Sequence, residues 1–249
     1  MYPFIHLGGW QLNSYGLCLV AALLAGYGIF RAELHRRSMS AVGPTALMAW
    51  LAVGAILGAR SLWIIETLFG VPDHPVALEG FSYYGALLFD CVLVLLIARH
   101  YRIPALALAD ALAVPCIAAF AIARMGCFLS GDGDYGIPTA MPWGMSFPHG
   151  IVPTLDRVHP APLYECLTSV AIAIWLWRRG DPRRDAPLPR GTISAEFLIL
   201  TGVARILVEF IKRNPRLLWG FTEAQFIGSI GIVVGLILLG QRQWHTISR

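Results

Sequence analysis

Three arginines stand inside stretches that otherwise carry almost no charge: Arg60 in GAILGAR, Arg124 in AIARMGCF and Arg205 in TGVARILVEF. A guanidinium is always charged, and its fork of N–H donors matches phosphate oxygens two at a time. Tyr15 and Tyr84, near the starts of two other apolar stretches, can add hydroxyls to the same kind of ligand. The chemistry suggested is capture of an anionic, phosphate-bearing group. The competing assignment is an internal ion pair, and Arg205 with Glu209 has the i, i+4 spacing for one. Gly54 and Gly58, ahead of Arg60, form a GxxxG surface that suits helix packing better than chemistry. Asp90 and Asp110 raise a second possibility, a proton or ion path, against which stands hydrogen bonding of each carboxyl within the fold.

These residues must be positioned by long apolar elements. Hydrophobic side chains make up 57% of the 249 residues and charged ones 14%, with a mean hydropathy of +0.63. An ordinary soluble domain has roughly 25% charged residues, so a soluble globule is excluded and most of this surface must face lipid. Seven stretches approach the roughly 20 apolar residues that a membrane helix needs: 14–30, 44–66, 81–98, 104–129, 162–177, 192–210 and 222–240. Their continuity excludes the alternating pattern of a β-barrel. The expected fold is all-α: a single polytopic membrane domain over 1–249 with seven transmembrane helices. Residues 130–161, rich in Gly, Pro and Asp, form the one long non-cytoplasmic connection and are expected to build a small cap on the outer face. Residues 1–13 lack a basic n-region and a small-residue cleavage site, so the first apolar stretch is read as a retained span.

Of the 19 Lys and Arg residues, twelve follow the first, third and fifth spans or lie in the C-terminal tail; four lie on the opposite side. Positive charge marks the cytoplasmic side, which puts the N-terminus outside and the C-terminus in the cytoplasm. Spans two, four and six then run outward, and Arg60, Arg124 and Arg205 all fall in the outer half of the bilayer with Tyr15 and Tyr84. An arginine at membrane depth costs roughly 2.5–3.5 kcal/mol, so three at one level point to a site that takes a lipid headgroup from the outer leaflet. The net charge of +4 is too small to suggest nucleic acid. Five scattered cysteines without C-x-x-C spacing give no metal site. His6, His35, His100 and His245 read as terminal or interfacial, His74 lies in a short outer loop, and Trp63, Trp143 and Trp219 read as an aromatic belt.

At the end of the fourth span the chain reads Arg124-Met125-Gly126-Cys127-Phe128-Leu129-Ser130-Gly131-Asp132-Gly133-Asp134-Tyr135-Gly136. This segment resembles the signature of the prolipoprotein diacylglyceryl transferases, an Arg-x-Gly-Asn/Cys-Phe run followed by an acidic, Gly-containing turn. Further matches follow the family's order: Ser14-Tyr15-Gly16, Gly58-Ala59-Arg60, Tyr84-Gly85-Ala86, His159-Pro160 through Leu163-Tyr164-Glu165, Arg205 through Glu209-Phe210, and Gln225. The resemblance covers nearly the whole chain and fits a seven-span protein with its N-terminus outside.

The resemblance implies a multi-pass enzyme of the bacterial plasma (inner) membrane that needs no cofactor. It implies transfer of the diacylglyceryl group of phosphatidylglycerol to the lipobox cysteine of a prolipoprotein, releasing glycerol phosphate. It assigns catalysis to Tyr84, Arg124, Arg205, Asp132 and Asp134, and substrate binding to Tyr15, Arg60, Ser130, Gly136, His159 and Glu209. Four positions depart from the family pattern: Tyr84 stands for a His, Thr201 for a Tyr, Ser130 for an Asn, and Asp132 or Asp134 for a Glu. Two alternatives stay open, a lipid-binding relative without transferase activity and an ion-coupled transporter built on Asp90 and Asp110. The His159-Pro160 pair is explained equally well as the start of the fifth span.

Overall fold

Helix boundaries follow from local capping chemistry. Asn13 accepts hydrogen bonds from the backbone N–H groups of Tyr15 and Gly16, which starts α1 (Ser14–Arg36) and fixes Tyr15 in its first turn. Pro44 opens α2 (Pro44–Leu68), where its missing N–H costs nothing. The helices α3 (Tyr83–His100) and α4 (Ala105–Ser130) follow. Gly131, at φ +63°, ends α4 in the left-handed conformation and returns its N–H to the carbonyl of Cys127. Beyond it come α5 (Ala161–Arg179), α6 (Thr192–Glu209) and α7 (Glu223–Ile247). Thr222 and Gln225 form a reciprocal capping box at the start of α7, which accounts for Gln225 as a structural residue.

The computed structural model describes residues 2–7, 9–39, 43–69, 83–182, 188–214, 216 and 220–247, without the side chains of residues 7, 66, 83, 84 and 242–247. His74, Trp219 and the side chains of Tyr84 and His245 therefore lie outside the described residues. Among those described, the body is helical, with seven helices. Four are long and apolar enough to cross a membrane: Ser14–Arg36, Pro44–Ile65, Ala105–Ser130 and Glu223–Gln241. Two small antiparallel hairpins qualify the all-α expectation. One joins β1 (Phe4–Leu7) to β2 (Trp10–Asn13), and the other joins β3 (Met145–Phe147) to β4 (Thr154–Val158).

Helix α4 is the hub, with 50% of its apolar window buried. It packs along α1 and α5 and more lightly against α3 and α6. Helices α2 and α3 pair through glycines: a Cβ on Gly58 would strike the carbonyl of Gly85, and one on Gly85 the carbonyl of Gly58. The GxxxG surface read from the sequence is thus a packing seam. The buried residues this pair shares with α1 and α4, including Phe30, Leu34, Leu47, Ile97, Ala98 and Leu108, gather near the ends of these helices away from Arg124. Asp110 explains itself in the same region. Its carboxylate accepts from Gly191 N at 2.6 Å and from Ser194 N and Oγ at 2.8 and 2.6 Å, capping the N-terminus of α6 from a neighbouring helix.

Residues 131–160 form a small lobe over the opposite ends of α4 and α5. Tyr135, Phe147 and Val158 are its core, with the rings of Tyr135 and Phe147 stacked at 4.1 Å. Burial, reinforced by the Asp132 carboxylate, pushes the Tyr135 phenol up to about 12, and its hydroxyl donates to the carbonyl of Val152 at 3.0 Å.

Candidate active site

Five segments bring their charged side chains to one place at the lobe end of the bundle. Arg124, near the end of α4, sets Nη1 2.8 Å from Asp134 Oδ2 and Nε 3.0 Å from Glu165 Oε2. Arg205, in the last turns of α6, donates from Nη1 to Glu165 Oε1 at 2.6 Å and places Nη2 3.3 Å from Glu209 Oε2. Lys212, just past α6, lies 2.7 Å from Asp134 Oδ2 and 3.2 Å from Glu165 Oε2. Asn214 donates to Glu209 Oε1 at 2.5 Å. Asp134, Glu165, Glu209 and Lys212 are all buried, so these charges persist only because they compensate one another, three cations against three carboxylates.

Arg124 and Arg205 do converge as their depth in the sequence suggests, and Glu209 joins them. The internal pairing weighed against a ligand role is also present, since carboxylates engage both guanidiniums. Among the described residues, the ion pairs use Nη1 and Nε of Arg124 and Nη1 and Nη2 of Arg205. Arg124 Nη2 and Arg205 Nε stay outside them, and the two side chains keep 17% and 30% exposure. Arg124 Nη1 also donates to Cys127 Sγ at 3.3 Å.

The remaining expected residues divide. Tyr15 stands beside this group: a Cβ on Gly126 would lie 3.3 Å from its ring, so that glycine, two residues after Arg124, lets α1 press against α4. Asp132 sits in the turn after α4 and accepts from Asp134 N at 3.2 Å. Gly136 has a scaffolding part, donating its N–H to the His159 carbonyl while Ile137 N reaches the Ile211 carbonyl at 2.7 Å. Those bonds clamp the lobe to the segment that carries Lys212. His159 Nδ1 is 3.2 Å from the Tyr164 hydroxyl at the start of α5. Ser130 is fully buried and gives its hydroxyl to the Cys127 carbonyl, ending its own helix. Arg60 is exposed on α2 with its guanidinium over the Trp63 ring at 4.5 Å. Thr201 donates to the Phe197 carbonyl of its own helix.

Sequence reading assigned no role to Glu165 and counted Lys212 only as a loop charge. Glu165 had a usable signal, a carboxylate at the fifth position of an apolar helix. Lys212 had none, because its partners lie in the lobe and in α5.

Residues 3–240 match the family model described as prolipoprotein diacylglyceryl transferase. The chain is similar to the phosphatidylglycerol–prolipoprotein diacylglyceryl transferase of Geobacter sulfurreducens, with 31% identity over 96% of this chain and 87% of the relative. Its counterpart in Methylobacillus flagellatus is 30% identical over 94% of each chain. That of Synechococcus elongatus is 27% identical over 94% of this chain and 84% of its own. A match that runs from β1 into α7 takes in every member of the ion network, and the chain belongs to the prolipoprotein diacylglyceryl transferase family.

Proposed function

We propose that this protein transfers the diacylglyceryl group of phosphatidylglycerol to the lipobox cysteine thiol of prolipoproteins, in the bacterial inner membrane. In this reading all seven helices span the bilayer, the N-terminus is outside, the C-terminus is cytoplasmic and the 131–160 lobe lies on the outer face. The observation that carries it is the gathering of Arg124, Arg205 and Lys212 around Glu165, in a chain whose relatives bear that enzyme's name.

In the reaction a thiolate sulfur forms a bond to the glyceryl carbon as the carbon–oxygen bond to phosphate breaks. The electron pair leaves with glycerol phosphate, so negative charge grows on the phosphate oxygens. Arg124 and Arg205, held rigidly by carboxylates, aim cationic donors at that charge before it develops, which is how a preorganised site lowers a barrier. The thiol proton needs an acceptor, because the thiolate is the nucleophile. Asp134 already serves two cations and suits that task poorly. Asp132, outside the ion pairs among the described residues, is the better acceptor, and Tyr15 and Tyr84 supply hydroxyls for the glycerol and phosphate.

The test is purified protein with phosphatidylglycerol and a lipobox peptide, read as the peptide's mass increase together with released glycerol phosphate. Product that requires phosphatidylglycerol supports the reading. Binding without product would make the protein a lipid-binding relative, and the absence of both would overturn the substrate assignment.

A further inference from the structure

Lys212 is almost completely removed from solvent, with 1% of its side chain exposed. Its ammonium contacts Asp134 Oδ2 and Glu165 Oε2, the same two oxygens that Arg124 contacts. The four groups therefore form a closed ring in which two cations share two carboxylates. Neither approach to Glu165 Oε2 is aligned as a hydrogen bond among the described residues, so Lys212 acts on Glu165 through charge. Without Lys212 the carboxylates Asp134, Glu165 and Glu209 would outnumber Arg124 and Arg205, and an approaching phosphate would meet net negative charge at short range in a poorly screened site.

We propose that Lys212 is a positioning residue for the anionic substrate. It draws carboxylate charge away from Arg124, so that the guanidinium retains positive charge for the lipid phosphate. The residue does not touch the reacting atoms; it acts through the two oxygens it shares with Arg124. This inference rests on the phosphatidylglycerol reading above. Its location supports it: the Gly136–Lys212 bridge fixes the lysine backbone against the lobe, so the offsetting charge stays in place whether or not lipid is present.

The experiment measures transfer and binding in parallel, in nanodiscs of phosphatidylcholine with increasing phosphatidylglycerol. In K212M the phosphatidylglycerol required for half-maximal rate should rise by about tenfold or more, with kcat changed by less than about threefold. K212R, which keeps the charge, should restore it. D134N/K212M removes one charge of each sign and should return the requirement toward that of the unaltered protein, while D134N alone should lower it. That last pair keeps the test open should K212M fail to fold. Equal losses of kcat and affinity that track a lowered Tm, or a double variant worse than K212M, would reduce Lys212 to a structural staple and overturn the proposal. Binding of a fluorescent short-chain phosphatidylglycerol separates the two levels. Charge-dependent binding without transfer would sink the transferase reading alone. Transfer at one KM in all variants would sink this inference alone.

Discussion

Arg124 touches Asp134, Glu165 and Cys127 at once, so its removal would delete the donor proposed for the lipid phosphate and also leave Asp134 to Lys212 alone and Glu165 to Arg205 and Lys212. Arg124→Ala should lower transfer by about a hundredfold or more, and Arg124→Lys should recover only part, because a point charge cannot reproduce the fork. Near-normal turnover of Arg124→Ala with phosphatidylglycerol would remove it from the site. At Tyr84, Phe should slow transfer through lost lipid positioning and His should retain it, compared across pH. A rate that rises only as a group near 10 ionises, abolished in Tyr84→Phe, would instead make this phenol the base. Tyr135 gives a separate pH prediction. Its phenol ionises near 12 in the folded lobe against an unfolded value near 10, so burial favours the neutral form. The resulting stability is complete below pH 10 and is lost as pH rises from 10 toward 12. Melting curves should show that loss in the unaltered protein and a shallower one in Tyr135→Phe. Arginines were legible in the sequence because charge in an apolar run is conspicuous. Of their partners, Glu209 was legible from its i, i+4 spacing to Arg205, but Glu165 was not, since it meets Arg205 from 40 positions away.

Helix positions came through from apolar run length alone, with all seven starts and five of the ends within two residues, while α1 and α7 run six and seven residues further; the hairpins escaped because strands of three to five residues leave little periodicity. Asp110 shows where such reading stops. A carboxyl inside an apolar run looks like a proton carrier until the N-terminus of α6, 81 residues further on, is seen to supply its donors. Asp110→Ala should therefore destabilise the protein by about 1–3 kcal/mol, seen as a lower Tm, by leaving buried N–H groups without an acceptor. A Tm equal to that of the unaltered protein would contradict the cap. The seam between α6 and α7 makes a comparable demand on size, because a Cβ on Gly202 would lie 2.5 Å from the carbonyl of Gly228. Gly202→Leu should push the helices apart and displace Arg205, lowering both Tm and transfer.

The proposed orientation places the two ends of the bundle in different compartments. A cysteine at the exposed Asp156 position, in a background without other reactive thiols, should react with an impermeant maleimide added to whole cells; one at the exposed Pro182 position should not. The reverse pattern would invert the topology and place the ion network on the cytoplasmic side. The network also ties assembly to the order of synthesis. Arg124 leaves the ribosome before Glu165, and Glu165 before Arg205 and Lys212, so Glu165 is made before two of its three cationic partners. A chain halted after α5 would hold Asp134 and Glu165 facing Arg124 alone. Charge at the lobe end comes into balance only once Lys212 has been made.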